Sequence, residues 1–147
     1  MNKKVTNIDA KLPNGWEWKK IGDKFVCQLI MGQSPDSKSY NNSKHGLPFY
    51  QGKKDFGKEY PTPTTYCTKP IRIVESGDIL LSVRAPVGTT NICKEQSCIG
   101  RGIAGIRANQ NLVTNSFLLF YFKWYEKVIE SKGKGSTFSA ITKVDLE

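Results

Sequence analysis

The chain has 147 residues, the length of one ordinary domain, and its 38% hydrophobic content suffices for a single core rather than two independent units. Its 22 lysines and arginines against 13 acidic residues give a net charge of +9, which favours polyanionic partners such as nucleic acid. The densest apolar run, residues 117–122, ends at Lys123 and is too short for a bilayer, and the first residues lack a signal-peptide pattern, so a cytoplasmic protein with no membrane partner is expected.

Enzymatic signatures are sparse. There is no GxxxxGK[ST] loop and no GxGxxG that follows a strand to open a helix, and the single histidine, His45, leaves little material for a catalytic triad. Cys27, Cys67, Cys93 and Cys98 form no CxxC pair, so they are expected to pack as small hydrophobes and not to hold zinc. Asp9 ahead of Glu17-Trp18-Lys19 has the residue types of a cation-dependent nuclease, but Asp9 lies in residues 1–11, a polar segment expected to fray.

In chain order, Trp16 and Trp18 alternate with Glu17 and Lys19, which predicts a half-buried strand. "KFVCQLIMG" is a second apolar run, closed by Gly32, and the polar residues 33–46 form a long loop. "LPFYQG" predicts a short strand before a basic loop whose two prolines forbid a central strand. "IRIVESGDILLSVR" reads as a hairpin with Gly77 at a positive-φ turn position. Alternation then puts Ile79, Leu81 and Val83 on one face and Leu80, Ser82 and Arg84 on the other. Short strands follow in "TTNIC" and "CIGRGIAGIR". "TNSFLLFYFKWYEKVIESKG" predicts the main helix, capped by Thr114 or Asn115 and ended by Gly133. Its core face is expected to run through Phe117, Tyr121, Trp124 and Val128, widened by Leu118, Phe122, Tyr125 and Ile129. The Thr142-to-Asp145 spacing resembles a helix start. The class is α+β: mostly short antiparallel strands in a twisted sheet, with one main helix and long basic loops.

Candidate functional residues concentrate in the loops. Arg84 projects from a strand end, where its planar fork suits a phosphate or a guanine edge, or equally an ion pair with Asp78, Glu75 or Glu95. Arg101 sits between Gly100 and Gly102, where small neighbours allow a close backbone approach to a ligand. Gln33, Ser34, Tyr40, Asn41 and Lys44 in the first loop, with Gln51, Lys53 and Lys54 in the second, combine amides, an aromatic and ammonium groups, as a nucleic-acid surface requires. Lys132, Lys134, Ser136 and Thr137 after the helix form a further set suited to phosphate oxygens.

Seven stretches, "LPNGWEWKKIGD", "MGQSPDSKSYN", "GLPFYQGKKDFG", "YPTPTTYCTKP", "SGDILLSVRAPVG", "CIGRGIAGIR" and "GSTFSAITKVDLE", occur in the order found in the target recognition domains of type I restriction-modification specificity subunits, and the chain resembles that family from Leu12 to Glu147. The resemblance implies a non-catalytic module that reads double-stranded DNA, the alternative being a remnant half-subunit that binds modification or specificity subunits without reading DNA itself. It further implies methyltransferase (modification) subunits and a restriction subunit as partners, and a second specificity half. S-adenosylmethionine, ATP and Mg would belong to those partners, with no cofactor in this chain. The resemblance makes residues 12–147 one recognition domain, without the family's spacer helix, as the expected organisation. Because family members sharing "SVRAPVG" and "IGRG" read different targets, the resemblance casts Arg84 and Arg101 as phosphate clamps or structural pins and places base choice in residues 33–44 and 51–66.

Overall fold

The computed structural model describes residues 11–133 and 140–147. Short apolar runs separated by Pro, Gly and Asn form nine strands among them: β1 (Cys27–Met31), β2 (Tyr40–Asn41), β3 (Leu47–Tyr50), β4 (Tyr66–Cys67), β5 (Ile73–Val74), β6 (Ile79–Ser82), β7 (Thr90–Ile92), β8 (Ser97–Ile99) and β9 (Ile103–Ala108). Two helices follow, α1 (Asn115–Gly133) and α2 (Lys143–Leu146). The α+β class holds, and every strand pairing except β3 with β8 is antiparallel.

The strands make two sheets rather than the one expected, ordered β1-β9-β6-β7 and β2-β4-β3-β8-β5. The physical reason lies in β6, which is apolar on both faces. Ile79, Leu81 and Val83 pack with Leu118, Phe122 and Ile129 of α1. Leu80 points the other way, into Tyr50, Val74, Ile99 and Ile103 from the second sheet and β9. A strand with two buried faces needs a layer on each side, and a helix and a second sheet supply them.

The expected hairpin across residues 75–78 is also corrected. Its turn forms, with Gly77 at φ 91° and the Asp78 N–H donating to the Glu75 carbonyl at 3.1 Å. The flanking strands nevertheless part: β5 pairs with β8, while β6 pairs with β7 and β9. Four residues of β6 find register on β9, more than the two-residue β5 could offer.

Residues 16–20 form no strand, because the alternation of Trp16 and Trp18 has no neighbouring strand to pair with. Both rings are more than half exposed, and Trp16 meets Phe117 edge-on at 5.4 Å. On α1 the Thr114 hydroxyl accepts the Phe117 N–H, and Asn115 ties the helix start to Ala108 and to the Gly77 carbonyl. The buried stripe is Leu118, Phe122, Ile129 and Gly133. Phe117 and Trp124, expected in the core, are instead exposed beside Phe120, so the packed face is rotated toward the widening set. The Thr142 and Asp145 cap forms as read, with the Thr142 N–H donating to the Asp145 carboxylate at 2.7 Å. No helix among the described residues is long and apolar enough to cross a membrane.

All four cysteines are buried free thiols. Burial above all pushes Cys27 and Cys93 up to about 11, far from the thiolate form at neutral pH. Titration of the native chain with an aromatic disulfide reagent is therefore expected to release almost no thiolate anion until denaturant is added; rapid reaction of any thiol in buffer contradicts this packing.

Candidate nucleic-acid interface

The tip of β6 is held on both sides. Val83 donates its N–H to Gly102 at 2.9 Å and accepts from Ile141 at 2.8 Å, and Arg84 bridges to Ala140. Beyond it the chain folds back over a cis Ala85-Pro86 peptide. The Ser82 hydroxyl closes that loop, donating to the Pro86 carbonyl at 2.8 Å and accepting the Thr89 N–H at 3.0 Å. Arg84 is exposed at the base of this loop. The ion pair with Asp78 does not form: the two residues stand at opposite ends of β6, and the Asp78 carboxylate pairs with Arg107 at 2.7 Å. Among the described residues Arg84 has no ion-pair partner, Glu75 and Glu95 included.

Arg101 lies beside it on the turn between β8 and β9. Its N–H donates to the Ser34 hydroxyl at 3.2 Å. The flanking glycines allow a close approach of the protein's own atoms. A Cβ on Gly102 would collide with the Gln51 carbonyl oxygen, and one on Gly100 would meet Ser34 Oγ at 2.9 Å and the Phe49 ring at 3.2 Å.

Opposite stands the exit of β3. The Asp55 carboxylate accepts the N–H groups of Gln51 at 2.7 Å and Gly52 at 3.3 Å, capping a short 3-10 helix, Lys53–Asp55. Further along, the buried Asn91 amide clamps Gly57 by two bonds of 3.0 Å, and Ile92 donates to the Glu59 carbonyl. The basic loop is thus anchored from beneath. On the third side the Tyr40 ring packs on Phe49 at 4.7 Å, and its hydroxyl donates to the Pro35 carbonyl. Burial raises the Tyr40 phenol above its ordinary value and keeps it a neutral donor.

These elements enclose an open cleft of about 640 Å³. Seven candidate side chains line it: Ser34, Tyr40, Gln51, Lys53, Lys54, Arg84 and Arg101. Four of them are cationic and no carboxylate is among the lining residues, so the cleft is a concentrated positive field. Gly102, noted beside Arg101, completes its walls with Pro35, Gly52, Ala85 and Pro86, which were not singled out as site residues in the sequence. Nor was Asp55, whose cap three residues after Gly52 is the one local spacing that could have drawn attention to this end of the cleft.

Other candidates lie elsewhere. Gln33 is exposed but lines no part of the cleft. Both ends of the Asn41 amide are committed to its own turn, donating to the His45 carbonyl at 2.9 Å and accepting the N–H groups of Ser43 and His45. Lys44 occupies that turn at φ 63°. The Lys132 ammonium donates to the Asp145 carbonyl at 2.7 Å and joins α1 to α2. Lys134, Ser136 and Thr137 lie outside the described residues, as does Asp9. Glu17 and Lys19 pair with each other on the surface at 3.1 Å, and no group of acidic, His and Cys side chains among the described residues could hold a metal ion.

Residues 13–147 match the family described as the type I restriction modification DNA specificity domain. The chain belongs to that family. The specificity domain is 48% identical over 138 residues to the putative type I restriction enzyme MjaX specificity subunit of Methanocaldococcus jannaschii, covering 94% of this chain and 32% of that protein. It superposes on the crystal structure of the HsdS subunit from Thermoanaerobacter tengcongensis with a TM-score of 0.83 at 45% identity, covering 93% of this chain and 32% of that one. A similar match, with a TM-score of 0.84 at 47% identity, covers 93% of this chain and 33% of one in a structure titled for complex assembly and conformational transition of the type I R-M system. The type I restriction-modification system S subunit from M. genitalium, at 17% identity and a TM-score of 0.66, shares the fold. The specificity domain spans about a third of the length of these relatives.

Proposed function

We propose that this specificity domain reads double-stranded DNA through the cleft, as one target recognition domain of a type I restriction-modification specificity subunit. The observation that carries the reading is the convergence of Lys53, Lys54, Arg84 and Arg101 on one concave face beside uncharged polar side chains. Cations on a concave surface neutralise phosphates and release counterions, and this sets affinity and register. Side chains that reach base edges in the major groove then set preference. The chain itself is non-catalytic in this reading. Adenine methylation and restriction belong to methyltransferase and restriction subunits, which would also hold S-adenosylmethionine, ATP and Mg. Such partners need a surface apart from the DNA face, and the exposed stripe of Phe117, Phe120 and Trp124 on α1, which shares no residue with the cleft, supports one.

Selection of a random duplex pool by this chain at low and moderate salt tests the reading. Enrichment of one short contiguous half-site that persists as salt rises is the expected result. Binding without enrichment, lost steeply with salt, overturns sequence reading by this chain and leaves only electrostatic attraction.

A further inference from the structure

We infer that Gln51 is the side chain that reads a base in the cleft, and that the base is adenine. The inference rests on the DNA-reading function proposed above and narrows it to one residue.

The polar side chains of the cleft divide by what they can offer a base. Lys53, Lys54, Arg84 and Arg101 carry donors only, which serve phosphate oxygens, and the two arginines could otherwise pair only with guanine. The Ser34 and Tyr40 hydroxyls are turned toward the protein, one accepting the Arg101 N–H and the other donating to the Pro35 carbonyl. A hydroxyl is moreover a single atom and cannot present a donor and an acceptor side by side. Gln51 alone in this cleft has a carboxamide, which matches the N7 acceptor and N6 amino donor of adenine.

The mounting of Gln51 strengthens the assignment. Its N–H is held by Asp55 at 2.7 Å, its carbonyl lies against Gly102 where no Cβ fits, and the preceding Tyr50 carbonyl accepts the Gly100 N–H at 2.8 Å. Its side-chain amide makes no hydrogen bond among the described residues. A fixed stem with a free head is what direct readout requires, since the cost of ordering the backbone is met in folding and only the head orders on binding. Asn41 lies outside the cleft lining, and its amide bonds within its own turn at both the nitrogen and the oxygen.

The test compares random-duplex selection by the wild-type chain, Gln51→Ala and Gln51→Glu. The wild type is expected to enrich a motif containing an A·T pair. Gln51→Ala should lose preference at that one position by roughly ten- to hundredfold and keep the other positions and the salt slope. Gln51→Glu, with the same shape but only acceptors, should move that position toward C·G, because a carboxylate accepts from cytosine N4 and cannot satisfy adenine N7. A purely structural role would produce neither change. Unaltered preferences at every position in both variants overturn the inference while leaving DNA reading intact. A wild-type chain that enriches no sequence overturns DNA reading itself, and the role of Gln51 with it. Melting temperatures matching the wild type establish that either variant is folded, as expected for a head that touches no other polar group.

Discussion

Asp78→Ala is expected to lower unfolding free energy by about 2 to 4 kcal/mol, the largest loss from any single polar substitution in the described chain. Asp78 is 2% exposed, and its carboxylate accepts from Arg107 Nη2 at 2.7 Å, Arg107 Nε at 2.9 Å and the Glu75 N–H at 2.8 Å. The pair therefore fastens β9 to the turn that enters β6. Arg107 is partly exposed and can regain water when its partner is removed, which keeps the cost below that of a fully buried pair. Asp78→Asn retains an acceptor for Glu75 but not the charge, and should fall between wild type and Asp78→Ala. Urea denaturation provides the measurement, with Glu17→Ala as a control, since the exposed Glu17–Lys19 pair is worth about 0.5 kcal/mol or less. A loss below about 1 kcal/mol for Asp78→Ala would place its pair in the same class as that surface contact.

Arg84→Ala and Arg101→Ala are each expected to weaken binding to specific and unrelated duplexes alike, and to reduce the slope of log affinity against log salt by about 1, or about 2 when combined. The two guanidinium groups line one cleft, so the effects fall on one binding event. Stability should move by less than about 0.5 kcal/mol, because both side chains are exposed and Arg84 gives up no ion pair among the described residues. Lys132→Ala is the matched control: it removes the same charge, but from a side chain bonded to the Asp145 carbonyl and outside the cleft. An altered base preference in either arginine variant would make that residue a reader and not a clamp. Unchanged affinity in the double variant would remove the cleft from the DNA face.

The particular residues show where sequence reasoning reached and where it stopped. Alternation along β6 correctly divided Ile79, Leu81 and Val83 from Leu80, because side-chain direction in a strand is a local property. The same argument failed at Trp16 and Trp18, where alternation is present but no strand lies alongside. The turn at Gly77 was legible and the pairing of its flanks was not, since register is decided by β9 and β8, residues far along the chain. Gathering Ser34, Tyr40, Gln51, Lys53, Lys54, Arg84 and Arg101 into one cleft is likewise non-local. Composition marked these residues as suited to nucleic acid without indicating that Asn41 would use its amide in its own turn or that Lys132 would brace α2. Asp78 drew notice as a partner for Arg84, whereas the facing strand supplied Arg107.

The two-faced burial of β6 has a bearing on how the molecule comes apart. One strand serves as the common wall of both large hydrophobic clusters, Leu80 in one and its neighbours Ile79 and Leu81 in the other. Loss of β6 removes a wall from both clusters at once, so the two are expected to unfold together. Arg84 stands two residues past the end of that strand, and Val83 between them is itself hydrogen-bonded to Gly102 and Ile141. The backbone that carries Arg84 is consequently tied to the interior, whereas Lys53 and Lys54 stand on the exposed turn after β3.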